Sequence, residues 1–294
     1  MIKLTIRTGN NTVSFPLNEA TYFYGWNYPL KYEFISVLKK HFYRIDQSEY
    51  EHELLKTTNI MIDNQQLDLK KWKYYEISSN FSIENEFKLR SKSLMLKYFE
   101  SALTDIEYEE IVSTINILFA ELNEIITEKI IFENFGISIE AKVAELSLKN
   151  IIKLLELNLI KEEFLATGYN LEYKEIMLFQ IKIAKTIAKI NKLKNYIFIV
   201  YLPFIQKDII VELNEAIENA HFIIVNEHDS IDVERDKVIY FGNEITSFSD
   251  DVELYNKIML EYGAITTLEE LDKHLNDFLT KKDNKITTFL RENL

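Results

Sequence analysis

At 294 residues, with 47% hydrophobic and 28% charged side chains, the chain can bury a substantial core as one large domain or two small ones. Zero Cys excludes disulfides, thiolate zinc sites and cysteine nucleophiles, and only 6 Gly and 3 Pro favour long, uninterrupted elements. The net charge of −13 argues against nucleic acid, yet residues 198–294 hold 20 acids against 9 bases, leaving 27 against 25 in residues 1–197, where local basic surfaces fit.

In chain order, residues 2–8 and 12–17 alternate around Gly9-Asn10-Asn11 and read as a hairpin. The segment MIKLTIRTG lacks the apolar core of a signal peptide, and no apolar run nears the ~18 residues of a membrane span; a cytoplasmic protein with no membrane partner is expected. Thr21–Gly25 is a strand, a turn follows (Gly25, Asn27, Pro29), and Phe34, Val37, Leu38 and His41 then mark one side of a helix.

Strand, tight turn and helix form the setting of a phosphate-binding loop. The spacing fits Gly25, four residues, a second-glycine position, Lys and Ser/Thr, but Leu30 and Tyr32 replace the second glycine and the hydroxyl. Leu30 brings a Cβ where backbone amides would close on phosphate, and Tyr32 cannot place its phenol on Mg²⁺. Gly25 and Lys31 survive, as the relic of a nucleotide site.

Segments 58–63 and 72–78 read as further strands. From about residue 84 apolar residues recur at helical spacing over 84–103, 107–132, 143–160 and 171–194. Residues 196–202 (YIFIVYL), 222–225 (FIIV) and 237–241 (KVIYF) are apolar runs of the kind buried on both sheet faces, with a helix at 207–219 between the first two. Residues 251–262 and 267–293 read as terminal helices. This is an α/β fold: a degenerate ABC-ATPase-like, P-loop-type head (1–83 and 195–250), an inserted all-α leg (84–194) and an acidic helical C-terminal extension (251–294).

The residues of an ATPase are missing. No LSGGQ-like signature occurs, and Leu202 and Pro203 stand where adjacent acids should follow the 196–201 strand. The opening strands, the segment GISIEAKVAELSLKNIIKLLELNLIKEEF, the run KLKNYIFIVYLPFIQKDIIVELNEAIENAHFIIVNEH and the closing VIYFGNEI together resemble the CRISPR-associated Csn-two family of type II-A CRISPR–Cas systems, in one of its longer variants. The resemblance, over roughly residues 1–245, is one of layout and pattern.

It implies a homotetrameric ring without catalytic activity that binds double-stranded DNA ends through a lysine-lined hole and is steadied by Ca²⁺. Such a ring acts in spacer acquisition, an antiviral defence, beside the CRISPR integrase proteins and the RNA-guided effector nuclease. ATP is not expected as a cofactor. The alternative is an ABC-like nucleotide-binding protein or weak ATPase using the Gly25–Lys31 loop. A third reading is a structural interaction protein with an acidic tail.

The residues themselves point to DNA at IKIAKTIAKINKLK, 181–194, which has five lysines and no acid. At ~100° per residue, Lys182, Lys185, Lys189 and Lys192 fall within roughly 80° of one another; Lys194, the fifth lysine, is also a DNA-binding candidate. Such a stripe repels itself unless phosphates or acids offset it, so a DNA-facing stripe and an internally paired face both remain open. Lys88, Arg90, Lys92 and Lys97 form a second, weaker cluster. Where the resemblance places Ca²⁺ ligands, the chain offers Glu140 and Glu145, which by themselves read more readily as solvated helix-end carboxylates. His228 beside Asp229 lacks a Ser or metal partner, and Trp26 reads as core.

Overall fold

The computed structural model describes residues 2–8, 11–45, 59–91, 93–103, 106–129, 142–204, 206–226, 233–249, 251–263 and 267–294. They fall into two units of an α/β protein, Met1–Asn80 with Tyr173–Leu294, and Phe81–Glu172. The first unit contains two sheets.

In the smaller sheet, β1 (Lys3–Thr8) pairs antiparallel with β2 (Asn11–Pro16), Lys3 opposite Pro16, and with β4 (Asn59–Ile62) on its other edge. Strand β5 (Gln65–Gln66) returns from β4 through Asp63 and Asn64, both at positive φ, as a two-residue hairpin turn with matching twist requires. Alternation puts Leu4, Ile6, Phe15 and Ile60 in the core.

The larger sheet has parallel strands β6 (Trp72–Ile77), β9 (Asn195–Leu202), β10 (Ala220–Asn226), β3 (Ala20–Tyr24) and β11 (Val238–Phe241), in that spatial order, with antiparallel β12 (Ile245–Ser247) at the edge. All seven residues of β10 and all five of β3 are buried, the signature of strands covered on both faces. The sequence showed parallel strands 196–202 and 222–225 but not that β3 lies between β10 and β11, with Phe222 beside Ala20 and Tyr240 beside Tyr24.

Helix α1 (Tyr28–Tyr43) buries Phe34, Ile35, Val37 and Leu38. Its Phe34 meets Phe23 and Phe241 edge-on, with ring centroids 6.1 and 5.8 Å away, an aromatic cluster typical of a specific core. Helix α6 (Tyr173–Ile190) belongs to this unit, not to the expected leg ending at 194. The buried amide of Gln180 fastens it to the end of β6, accepting from Ser78 N at 3.2 Å and donating to Ser78 O at 2.9 Å.

The expected 251–294 extension likewise packs inside this unit. It forms α8 (Asp251–Tyr262), α9 (Leu268–Leu279) and α10 (Lys285–Asn293). Phe278 lies edge-on to Tyr240 at 5.2 Å, and Leu294 is buried with its carbonyl accepting from Asn243 N at 2.5 Å. The expected single helix over 267–293 is two, because Asn284 caps α10 through Thr287 N and Thr287 returns a bond to Asn284 N.

The second unit is less helical than its periodicity predicts. It contains α2 (Ile83–Glu86), α3 (Leu94–Ala102), α4 (Ile106–Lys129) and α5 (Leu148–Ile152), then a hairpin of β7 (Leu159–Lys161) and β8 (Phe164–Ala166) turning at Glu162 and Glu163. Residues 142–147 are in neither helix nor strand, contrary to the helix expected over 143–160. Two asparagines seven apart on α4 hold them. Asn116 bonds both Leu146 N and O, and Asn123 bonds both Val143 N and O, so side-chain amides supply the pairing a strand would.

Candidate functional site

The loop between β3 and α1 spans only residues 25–27, so Lys31 sits one turn inside the helix. Gly25 has φ +113°, and a Cβ there would meet Phe241 O at 2.3 Å: the glycine accommodates the β11 backbone. Asn27 is the N-cap and a clamp. Its Oδ1 accepts from Leu30 N at 3.1 Å, its Nδ2 donates to Gly242 O at 2.8 Å, and its own amide donates to Phe241 O at 3.0 Å.

Tyr28 N donates to Trp26 O and Lys31 N to Asn27 O, while Pro29 has no amide hydrogen. The donors that a phosphate would need at this helix start are therefore engaged within the protein. Lys31 is 2% exposed, donates from Nζ to Asn226 O at 3.1 Å and lies 4.9 Å from the Tyr28 ring centroid. Trp26, expected in the core, is half-exposed, and Tyr32 is 75% exposed. Asn27 was the readable signal here, an N-cap residue two places before a first-turn proline.

The lysine stripe is divided by the fold. Lys182 and Lys189, seven residues apart on α6, are exposed on one face. Lys185 is buried against α7 (Lys207–Asn214): its ammonium bonds Glu212 O and reaches Glu215 Oε2 at 3.0 Å and Glu212 Oε1 at 3.3 Å. The Lys185 hydrogen bond, with Lys189 contributing charge, holds the Glu215 carboxyl below its ordinary range.

Helix α6 ends at Ile190, so Lys192 and Lys194 leave the expected helical stripe for a turn. Lys192 is exposed there beside Leu193, itself 88% exposed, while Lys194 Nζ donates to Lys70 O at 2.8 Å. The exposed set is Lys182, Lys189 and Lys192. Of the second cluster, Lys97 pairs with Glu100 at 2.6 Å, Lys88 with Asn85 at 3.2 Å, and Arg90 is exposed.

Among the described residues no three His, Cys, Asp or Glu side chains gather as a metal site. Glu145 is exposed; Glu140, Lys92, His228 and Asp229 lie outside the described residues. No described helix is long and apolar enough to cross a membrane.

The fold has a solved counterpart. The structure is similar to the crystal structure of Stu0660 of Streptococcus thermophilus, with a TM-score of 0.68 and 14% sequence identity over 99% of this chain and 93% of that one. At that identity the likeness shows the fold. The sequence matches no protein-family model and no curated protein.

A cleft of about 470 Å³ opens beside α1, between Lys31, Lys39 and Lys40 on the helix and Tyr201 and Val225 at the carboxyl ends of β9 and β10. Lys39 pairs with Glu76 at 2.9 Å, and Tyr74 donates to the same carboxylate at 2.7 Å. Burial, then the nearby Glu76 charge, pushes the Tyr201 phenol up. Nothing in the sequence marked this cleft, because its walls come from three separated segments.

Proposed function

We propose that the protein is a non-catalytic, ring-forming binder of double-stranded DNA ends that acts in CRISPR spacer acquisition. The observation that carries this reading is the likeness of fold to Stu0660 of Streptococcus thermophilus over nearly the whole of both chains. It agrees with the layout by which the sequence resembles the Csn-two family.

Two physical features support it. Lys182, Lys189 and Lys192 form an exposed cationic group that would meet phosphates without reading bases, giving sequence-independent, salt-sensitive binding. On α4, Ile111, Leu118, Leu122 and Ile125 are exposed and fall within about 60° of one another, at the spacing of a helix–helix seam. A homotetramer would cover such a seam, and a ring would allow a basic lumen inside an acidic shell. The integrase proteins and effector nuclease of the locus would be its working partners.

The ATPase reading draws less support, because Lys31 already holds Asn226 O and the α1 start has its donors engaged. ATP is not part of the proposal, and no step runs through calcium. The test is native mass with linear and closed-circular DNA at two salt concentrations. A tetramer that binds the linear form, not the sealed circle, and releases it as salt rises is the expected result; a monomer indifferent to both overturns the reading.

A further inference from the structure

We infer that the free edge of the β7–β8 hairpin is a docking strand for a second copy of this chain, two β8 strands pairing antiparallel about a twofold axis at Leu165. Exposure is the first argument. Phe164 is 76% exposed on one face of the hairpin, and Leu165 and Ile160 are 78% and 66% exposed on the other. Grouped apolar surface of this kind marks an interaction site. Lys161 guards the β7 edge, as charged residues on edge strands commonly do, whereas β8 reads Phe-Leu-Ala and carries no charge.

Register supplies the second argument. Lys161 pairs with Phe164 across the two-residue turn, Ile160 with Leu165 and Leu159 with Ala166. The pair next to such a turn exchanges main-chain hydrogen bonds, and the following pair points its N–H and C=O groups outward. That places the Leu165 amide and carbonyl on the free edge of β8, and among the described residues neither has a main-chain partner. About a twofold axis at Leu165, each amide donates to the other copy's carbonyl, which satisfies both at once.

Side chains and charge select the occupant. In that register Ile160 and Leu165 of the two copies form one apolar row across four strands. On the opposite face each Phe164 falls beside the second copy's Ala166, a small residue that leaves room for the ring. The acidic turns, Glu162 and Glu163, lie at opposite ends of the contact. Their Glu163 positions are about 14 Å apart along the strands, beyond the ~8 Å screening length at physiological salt. One hairpin edge covers less than the ~800 Å² per partner of a stable dimer, so this contact alone is weak and concentration-dependent. It rests neither on the DNA reading nor on the α4 seam.

Because the chain has zero Cys, one introduced thiol reports the contact directly. A hydrogen-bonded pair at the axis holds its Cα atoms about 5.5 Å apart, within disulfide range. Ile160 stands three strand spacings from its counterpart, about 14 Å, outside that range. The test is mild oxidation of the full chain, without DNA, over a range of protein concentrations. Leu165→Cys should form a linked dimer at least about fivefold faster than Ile160→Cys or the exposed control Tyr169→Cys, with the parent circular dichroism. Adding Phe164→Lys to Leu165→Cys should bring linking down to the control rate. Linking at Leu165 no faster than the controls overturns the inference, as does indifference to Phe164→Lys; the edge then serves a different protein or none. If Leu165→Cys unfolds, an equal mixture of Phe164→Cys and Ala166→Cys chains replaces it, and only the mixed dimer should link. Linking without DNA binding, or DNA binding without linking, separates this inference from the DNA reading.

Discussion

Lys31 Nζ donates to the main-chain oxygen of Asn226 at 3.1 Å, so the lysine that a nucleotide loop would aim at phosphate instead ties α1 to the end of β10. Lys31→Ala should therefore act as a stability mutation, costing about 1–3 kcal/mol by leaving a buried acceptor short of its partner. Urea unfolding measures the loss, and DNA affinity of the folded variant should match the parent. An unchanged midpoint would remove the lysine from the scaffold.

Gly25 and Gly263 separate two costs. Gly263, at φ +69°, has nothing within 4 Å of an added Cβ, so Gly263→Ala should cost only about 1 kcal/mol of left-handed backbone strain. Gly25→Ala adds a clash with the Phe241 backbone and should cost several times more, on the order of 3 kcal/mol or above. Equal melting temperatures for the two variants would contradict the assigned role of Gly25.

The lysines of α6 and its following turn should also separate. Lys182→Glu, Lys189→Glu and Lys192→Glu should each weaken DNA binding regardless of sequence and flatten its salt dependence by about one released counterion. Lys185→Glu sets a buried anion beside Glu212 and should cost on the order of 3–5 kcal/mol of stability instead. Salt titrations of affinity beside unfolding curves resolve the two classes; a salt slope unchanged in all three exposed variants would exclude this surface.

His221 gives a pH dependence. Its ring stacks on Trp72 at 5.7 Å, Nδ1 meets Asn18 O at 3.2 Å, and Nε2 is buried without a hydrogen-bond partner. Burial lowers its pKa below 6.5 in the folded state, with the Asn18 carbonyl and the Glu19 charge opposing. The unfolded chain then binds the proton more readily, so this contribution is present above about pH 6.5 and fades as pH falls. His221→Phe should flatten stability against pH in that acid window; an identical profile would assign the dependence elsewhere.

Self-association should depend on the α4 seam. Leu118→Lys and Leu122→Lys insert charge among exposed apolar residues, leaving the buried positions of the unit untouched. Sedimentation velocity should show a smaller species with the fold retained by circular dichroism. A native-size oligomer would move the subunit contact off this helix.

The sequence disclosed the buried strands of the large sheet because strands covered on both faces read as unbroken apolar runs, as YIFIVYL and FIIV do. The lysine stripe was legible as composition but not as surface. Helical angle alone cannot say that Lys185 faces Glu212 while Lys182 faces solvent, and the helix stops before Lys192. The helix expected over 143–160 failed for a different reason: Asn116 and Asn123 supply partners that hold residues 142–147 out of the helix, and that contact is long-range. The cleft was invisible because Lys40, Tyr201 and Val225 meet only in three dimensions.

The strand order has a consequence for synthesis. Strand β3 emerges early, yet both of its neighbours follow the whole of the second unit, as the pairing of Ala20 with Phe222 and of Tyr22 with Val238 requires. At roughly 5–20 residues per second, its two unpaired edges await partners for many seconds while Phe81–Glu172 is still being made. Production of the intact protein should therefore be sensitive to chaperone supply and to translation speed.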